Sequence, residues 1–480
     1  MRCSLVSLVL AGLAHAKIFD FAADGGAMAD DASWDTVLAN GAALNRSLAA
    51  LSAGDVFVVP SQTFYLMGGI IARDLRSVRI QIDGTLEFAS TTINAQKYMR
   101  EWPRTGDGSD ASVLETMHFS NLTNVTFTSS SEGRLDGAGA KWWGVPGIGY
   151  LIRSENRPRL LKISDSADIL LEHLFLKDSP YWTFLGEGIT NLEVRYSRIE
   201  ARRTSRDGHG AVDLTAFNTD GFDLSGCDGV WIHDSAVWNQ DDCFDVKDNT
   251  QNVVIERVNA SGVGLTIGSI ASTVRNVTFR DAYMHHTHKG APGARRARVA
   301  AREGIQRVGP ARHAMRAAGG GARTRAGIYL KFRGAGLVED VLYENIVMDE
   351  PEDFAIWIGP AQQCDGCGAT DICSTDGGPC SLCWPSWPGS QCNAPLGAQY
   401  SNITLRNITI NSPAKSAGVL IANISNPMNR ILFDNVVVND PADTPFEDGY
   451  YCVNVNGVAT GNTSPVPPCM EDRTTDGVRS

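Results

Sequence analysis

One phrase recurs along the middle and C-terminal parts of this chain, and it leaves few folds open. Copies start at Asp168 (DILLEHLFL), Thr190 (TNLEVRYSRI), Asp228 (DGVWIHDSAV), Gln251 (QNVVIERVNA), Val274 (VRNVTFRDAY), Val338 (VEDVLYENIV), Ser401 (SNITLRNITI) and Met428 (MNRILFDNVV). Each is a short alternating stretch rich in β-branched residues, then a polar turn, then a second apolar stretch. Several neighbouring starts lie 22 to 27 residues apart. A fixed period of that size, with strands and no helical periodicity, is the signature of a solenoid. One coil cannot bury its own apolar face, but stacked coils share a continuous core. The chain therefore reads as all-β, a right-handed single-stranded parallel β-helix. The competing fold is a β-sandwich, which also uses many short strands.

Two acidic motifs sit within this periodic region. Asn218-Thr219-Asp220-Gly221 is followed, with starts 21 residues apart, by Asn239-Gln240-Asp241-Asp242-Cys243. Equivalent positions on successive coils lie about 4.8 Å apart. Asp220 and Asp241 are nearly one period apart, so they are expected to be neighbours across adjacent coils, with Asp242 beside them. Converging carboxylates are what acid/base cleavage of a glycosidic bond requires. An isolated Asp-Asp pair is more often a turn with side-chain-to-backbone bonds. The matching motif one coil earlier favours a site.

The formal net charge of -12 argues against nucleic acid, which is bound by clustered Lys and Arg. Residues 1–16 have the parts of a signal peptide: Arg2, an apolar run from Leu5 to Leu13, and Ala14-His15-Ala16. No later run is long and apolar enough to span a bilayer, so no membrane partner is expected. The reading is a secreted, extracellular, monomeric protein with one β-helix domain over 17–480. Its ends are expected to be capped by Lys17 to Leu66 and by the tail from Cys452 to Cys469. Without Cys3, ten of the 11 cysteines remain. Six of them, Cys364, Cys367, Cys373, Cys380, Cys383 and Cys392, fall in one loop over 361–393. In a secreted chain they read as disulfides, with zinc the alternative because two pairs have C-x-x-C spacing. Sequons occur at Asn45, Asn121, Asn124, Asn259, Asn276, Asn402, Asn407, Asn423 and Asn462. They fit a secreted glycoprotein, although Asn-x-Thr also arises wherever strands alternate polar and apolar residues.

Two intervals exceed one coil. One holds the cysteine-rich loop. The other holds Gly290 to Ala326, with nine Arg, one Glu and no strand alternation. Removing it joins His288-Lys289 to Gly327-Ile328-Tyr329-Leu330-Lys331 and restores an interval of about one coil. It reads as translated intron, and the alternative is a disordered basic loop that binds anionic polysaccharide.

The ordered motifs resemble glycoside hydrolase family 28, the polygalacturonase-like pectin hydrolases. Gly133-Arg-Leu-Asp-Gly-Ala-Gly-Ala-Lys-Trp-Trp143, Arg157-Pro158, Asp178-Ser179-Pro180-Tyr181-Trp182, the two aspartate motifs, Gly264 to Ser269 and Gly327 to Lys331 match its landmarks in order. The resemblance implies a pectin-lyase-like β-helix, no cofactor, no metal, a polysaccharide substrate and inverting hydrolysis. It implies Asp241 as general acid, with Asp220 and Asp242 holding and deprotonating water. It places Asn218, Gln240, Tyr329 and Lys331 at the substrate, Lys331 on a uronate carboxylate. There are departures. The family histidine is Val263, the family arginine is Tyr329, and Asn259 stands where the family has the cysteine that partners Cys243; Cys227 is a candidate replacement. Gly208-His209-Gly210 precedes Asn218 and reads as a surface turn. His285, His286 and His288 are candidate compensators or, less simply, metal ligands. Trp182, Trp231 and Trp238 are candidates for stacking on sugars or for packing. The lost cations point to a less anionic or branched glycan. Two further classes compete with a hydrolase: a polysaccharide-binding β-helix without activity, and a β-helical lyase.

Overall fold

The computed structural model describes residues 16–88, 95–106, 111–144, 156–203, 213–285, 327–361, 394–443, 446–447 and 449–475. Residues 1–15 of the expected signal peptide, Gly208-His209-Gly210, His286, His288, the arginine-rich segment and the six clustered cysteines lie outside the described residues.

The chain forms a right-handed parallel β-helix. Among the described residues every ladder between its strands is parallel, and the strands fall into one sheet of 11 and one of 20. The repeats make this unavoidable. Inward positions of successive coils in the smaller sheet are Leu161, Phe184, Phe222, Phe244, Leu265, Ile328 and Ile356. All are buried in one continuous apolar core. Rings stack along this axis, Phe222 on Phe244 with centroids 5.7 Å apart. A period-2 strand then turns the residues between them outward.

Strands of the larger sheet bend at single residues with positive φ, among them Asp281, Asn345, Asn407 and Asn435. Asn and Asp tolerate this left-handed conformation better than other residues with a Cβ. They also stack. Asn345 donates to Asp281 at 3.0 Å, Asn407 to Asn345 at 3.2 Å and Asn435 to Asn407 at 3.3 Å. A second ladder runs through Asn252 and Asn276 at 2.8 Å.

Both over-long intervals close as single coils. The strand Thr273–His285 pairs directly with Gly336–Asp349, and that strand with Ala398–Asn411. Near the N-terminal end, the helix Trp34–Ala49 begins at Ser33, whose hydroxyl accepts the Thr36 N–H, and buries Val37, Leu44 and Leu48. Near the other end, Cys452 and Cys469 are joined by a disulfide. Cys227 and Cys243 are both buried thiols, so Cys227 does not replace the missing partner of Cys243. Burial pushes the Cys227 thiol up to about 11.

Candidate active site

The two acidic motifs lie on the outer side of the smaller sheet. Phe222 pairs with Phe244 and Asp223 with Asp245, so Asp220 is level with Asp242, not with Asp241 as the spacing alone had implied. The Gly221 N–H donates to the Asp242 carbonyl at 2.8 Å. The offset arises because the register is 22 residues here, and it is fixed by the inward phenylalanines. Where this strand meets the next coil, Asp242 pairs with Gly264 and Phe244 with Leu265, a bulge at Cys243 that re-aims the Asp-Asp pair.

Asp220, Asp242 and Asp245 each offer an oxygen within 4.8 Å of the others. All three are buried. Asp242 is the best supported. Its Oδ2 accepts from Lys331 Nζ at 2.7 Å and its Oδ1 from the Thr266 hydroxyl at 2.8 Å. Lys331 and Asp242 side chains are 5% and 4% exposed, so the pair is desolvated. Such a pair sets a buried ammonium directly against the carboxylate.

Asp241 stands to one side. Its Oδ2 accepts the backbone and side-chain N–H of Asn218, both at 3.2 Å, and its Oδ1 accepts the Asp242 N–H at 3.1 Å. Asn218 reaches it from a left-handed backbone, φ 55°. Asn239 staples the two motifs together, donating to the carbonyls of Thr219 and Asp242 at 2.8 Å each. Gln240 is buried, its N–H on the Thr219 hydroxyl at 3.2 Å. Arg157 donates to the carbonyls of Pro180 at 2.6 Å and Phe217 at 3.0 Å, which ties the early Arg-Pro motif to the segment carrying Asn218.

Beside the aspartates lies a second charged group. Lys247 sits 3.0 Å from Asp223 Oδ1 and bonds Asp245. Asp245 also accepts the Gly268 N–H at 3.1 Å. Burial, reinforced by Asp242 and opposed by Lys247 and Lys331, pushes Asp245 up to about 7. Burial likewise pushes Asp223 well above the usual carboxylate range, against the pull of Lys247. Burial alone would lower Lys247; the carboxylates of Asp223 and Asp245 outweigh it and hold the ammonium charged. Three carboxylates at this spacing could in principle hold a cation, but here two ammonium groups already supply the compensating charge. Asp223, Asp245 and Lys247 were missed in the sequence. The signal was there, in Phe222-Asp223-Leu224 and Phe244-Asp245-Val246, the same pattern one coil apart.

The substituted positions also fall together. The Val263 N–H donates to the Asp241 carbonyl at 2.7 Å, one coil on. Its side chain joins Tyr329, Phe354, Trp357, Val419 and Ile421 in one buried apolar cluster. Tyr329 is 1% exposed, its ring edge-on to Trp357, with Lys331 Nζ 4.5 Å above it. Gly264 between them has φ +100°, and a Cβ there would lie 2.3 Å from the Gly327 carbonyl oxygen. Of the tryptophans, Trp182 lies between Arg159 and Lys247, each 4.6 Å from its ring. Trp238 packs between Arg202 at 3.4 Å and His285 at 5.2 Å. Trp231 is 42% exposed and stacks on His233, away from the aspartates.

A family model for glycosyl hydrolases family 28 matches residues 54–292, the span that carries both aspartate motifs. The chain belongs to glycosyl hydrolase family 28. Among curated family members it is 31% identical over 240 residues to endopolygalacturonase A of Aspergillus niger, covering 49% of this chain and 52% of that protein. It is 30% identical over 244 residues to a probable rhamnogalacturonase E of Aspergillus niger, covering 49% and 45%. The chain thus spans about half the length of the curated relatives it matches. The fold is shared with endo-xylogalacturonan hydrolase from Aspergillus tubingensis, at TM-score 0.55 and 18% identity over 96% of this chain and 99% of that one. It is shared too with a hyperthermoactive exopolygalacturonase from Thermotoga maritima, at TM-score 0.57 and 15% identity over 88% and 87%. Among the described residues, no helix is long and apolar enough to cross a membrane.

Proposed function

We propose that this protein is a secreted glycosidase that cleaves a pectic or related acidic polysaccharide by inverting acid/base hydrolysis. The observation that carries the reading is the desolvated Lys331–Asp242 pair, 2.7 Å long, inside the carboxylate cluster with Asp220. A base must remain ionised in a crowded acidic site, and a buried ammonium is the group that achieves this. Asp242 and Asp220 then hold and deprotonate the attacking water, and Asp241 protonates the leaving oxygen. Both Asp241 oxygens accept N–H bonds, which fix the orientation of its carboxyl group. To act as acid, Asp241 takes up a proton from solvent and, held in place by Asn218, passes it to the glycosidic oxygen as that oxygen's bond to the anomeric carbon breaks. Lys331 acts on Asp242 rather than on a substrate carboxylate, and Gln240 and Tyr329 shape the site from below its surface.

The test is release of reducing ends from pectic and algal glycans, with the anomer of the first product read by NMR. Asp220→Asn, Asp241→Asn and Asp242→Asn are each expected to lose at least about 10²-fold in kcat/KM. Retention of the anomeric configuration, or products with a new ultraviolet-absorbing double bond, would sink the reading.

A second reading, polysaccharide binding without turnover, is favoured by the packing of Val263 and Tyr329 into one apolar cluster, which leaves no imidazole or guanidinium there. Full binding with no turnover on any glycan would select it.

A further inference from the structure

The sequons do not form one class. Asn121, Asn124, Asn276, Asn402 and Asn407 have left-handed backbones. Their side-chain amides donate within the stacks: Asn121 to Asp74, Asn124 to Ser77 at 3.0 Å, Asn276 to Asn252 at 2.8 Å, Asn402 to Asp340 at 2.6 Å and Asn407 to Asn345 at 3.2 Å. Asn45 is bonded to Gly69 and Ile71, and Asn423 donates to Ala394 at 3.0 Å. Asn462 accepts from Thr475 at 3.1 Å. The Asn-x-Thr pattern at the ladder positions has a structural cause: asparagine fills the bend and threonine suits the strand that follows.

Asn259 differs. It sits mid-strand within Gln251–Ser261, exposed, with its backbone N–H on the Ser235 carbonyl at 3.1 Å. Its side-chain amide makes no hydrogen bond among the described residues. It lines an open groove of about 760 Å³ on the larger sheet, whose lining residues include none of the aspartates of the candidate site. Neighbouring rungs place Ala236 on one side and Tyr283, then Val347, on the other. Tyr196, Tyr283 and Val347 are 53%, 42% and 41% exposed, an apolar patch on an otherwise polar face. The Tyr283 hydroxyl is held by Asp349 at 3.0 Å, which fixes the ring at the groove wall. Charges in the groove cancel internally, since Arg257 is paired with Asp234 at 3.0 Å.

We infer that Asn259 carries an N-linked oligosaccharide, and that its first sugars lie in this groove against Tyr283 and Val347. The inference rests on the secreted reading above. A neutral N-acetylhexosamine root suits a groove without net charge. Its apolar ring face suits exposed tyrosine, and covering the patch removes an association hazard. A glycan on a ladder asparagine would break a bond in the stack; on Asn259 it breaks none.

The experiment uses the full chain secreted from a eukaryotic host. An amidase that converts each glycosylated asparagine to aspartate is applied, and every sequon peptide is weighed by mass spectrometry. Occupancy at Asn259 is expected to exceed that at Asn402 and Asn407 several-fold, and Asn259→Gln to lower the intact mass by one glycan. An unmodified Asn259 overturns the site. If, in addition, the unmodified protein retained a neutral polysaccharide in a Tyr283-dependent way, the groove would belong to a free glycan instead. Docking is read separately. Tyr283→Ala keeps the sequon, and should make the native glycoprotein's glycan several-fold more susceptible to endoglycosidase; an unchanged rate overturns the contact. Neither readout needs turnover, so a catalytically dead protein leaves both decisive.

Discussion

Replacing Lys331 by Met tests the proposed site at its most buried ion pair. At 2.7 Å and an effective dielectric of about 20, the attraction between Lys331 and Asp242 is roughly 6 kcal/mol before desolvation is subtracted. With both side chains at 5% exposure or less, little water can replace the ammonium. Removing one partner of such a pair costs about 3–5 kcal/mol, a large part of a typical total stability. The stranded Asp242 escapes that cost by taking up a proton, and a protonated Asp242 cannot serve as base. The acid limb of kcat/KM against pH should therefore move upward. Below the shifted limb, activity should fall by 10²-fold or more, within the usual range for loss of a general base (roughly 10²–10⁴). Chemical unfolding supplies a readout independent of catalysis. The double variant Lys331→Met with Asp242→Asn should recover much of the stability lost in the single one, because it leaves no buried charge alone. A Lys331→Met protein with wild-type stability and an unmoved acid limb would refute the argument.

Three other outcomes are expected. Asp245 titrates near 7 when folded and below 4 when exposed, so the stability tied to its proton is full at low pH and is lost as pH rises through 7. Relative to Asp245→Asn, the wild type should lose roughly 1.4 kcal/mol per pH unit across that window, and parallel unfolding curves at pH 5 and pH 8 would contradict this. Asn218→Ala removes one amide bond from Asp241 and is expected to lower kcat about 10-fold with little change in KM; a change in KM alone would assign Asn218 to substrate instead. Deleting Gly290 to Ala326 should leave the thermal midpoint within a few degrees, because the strands on either side already pair as neighbouring coils, and a deletion variant that fails to fold would count against treating the segment as dispensable.

Much of the fold was legible because a β-helix writes its geometry into its period. Each coil must repeat its apolar positions, so the phrases starting at Asp168, Thr190, Asp228, Gln251 and Val274 marked rungs in the sequence, and they pair as successive strands of the larger sheet. The aspartate motifs were legible for a related reason: an Asp-Asp pair alone reads as a turn, but a matching acidic motif one coil earlier favours a site. The partners of those carboxylates were not legible. Lys331 lies 89 residues from Asp242 along the chain, and the sequence offered it to a substrate. Lys247 belongs to no motif that singled it out in the sequence.

The sequence by itself determined the solenoid, its pitch, and the stretch of coils that would carry the acidic residues. Only the tertiary structure decided which carboxylates meet. Counting residues pointed to Asp220 beside Asp241, but a strand pairs by the side chains it buries. The inward phenylalanines set the register at Phe222 and Phe244, which brought Asp220 level with Asp242 and drew Asp245 into the cluster. A one-residue shift in a parallel ladder turns every side chain to the other face, so which carboxylates adjoin was settled by the core beneath them.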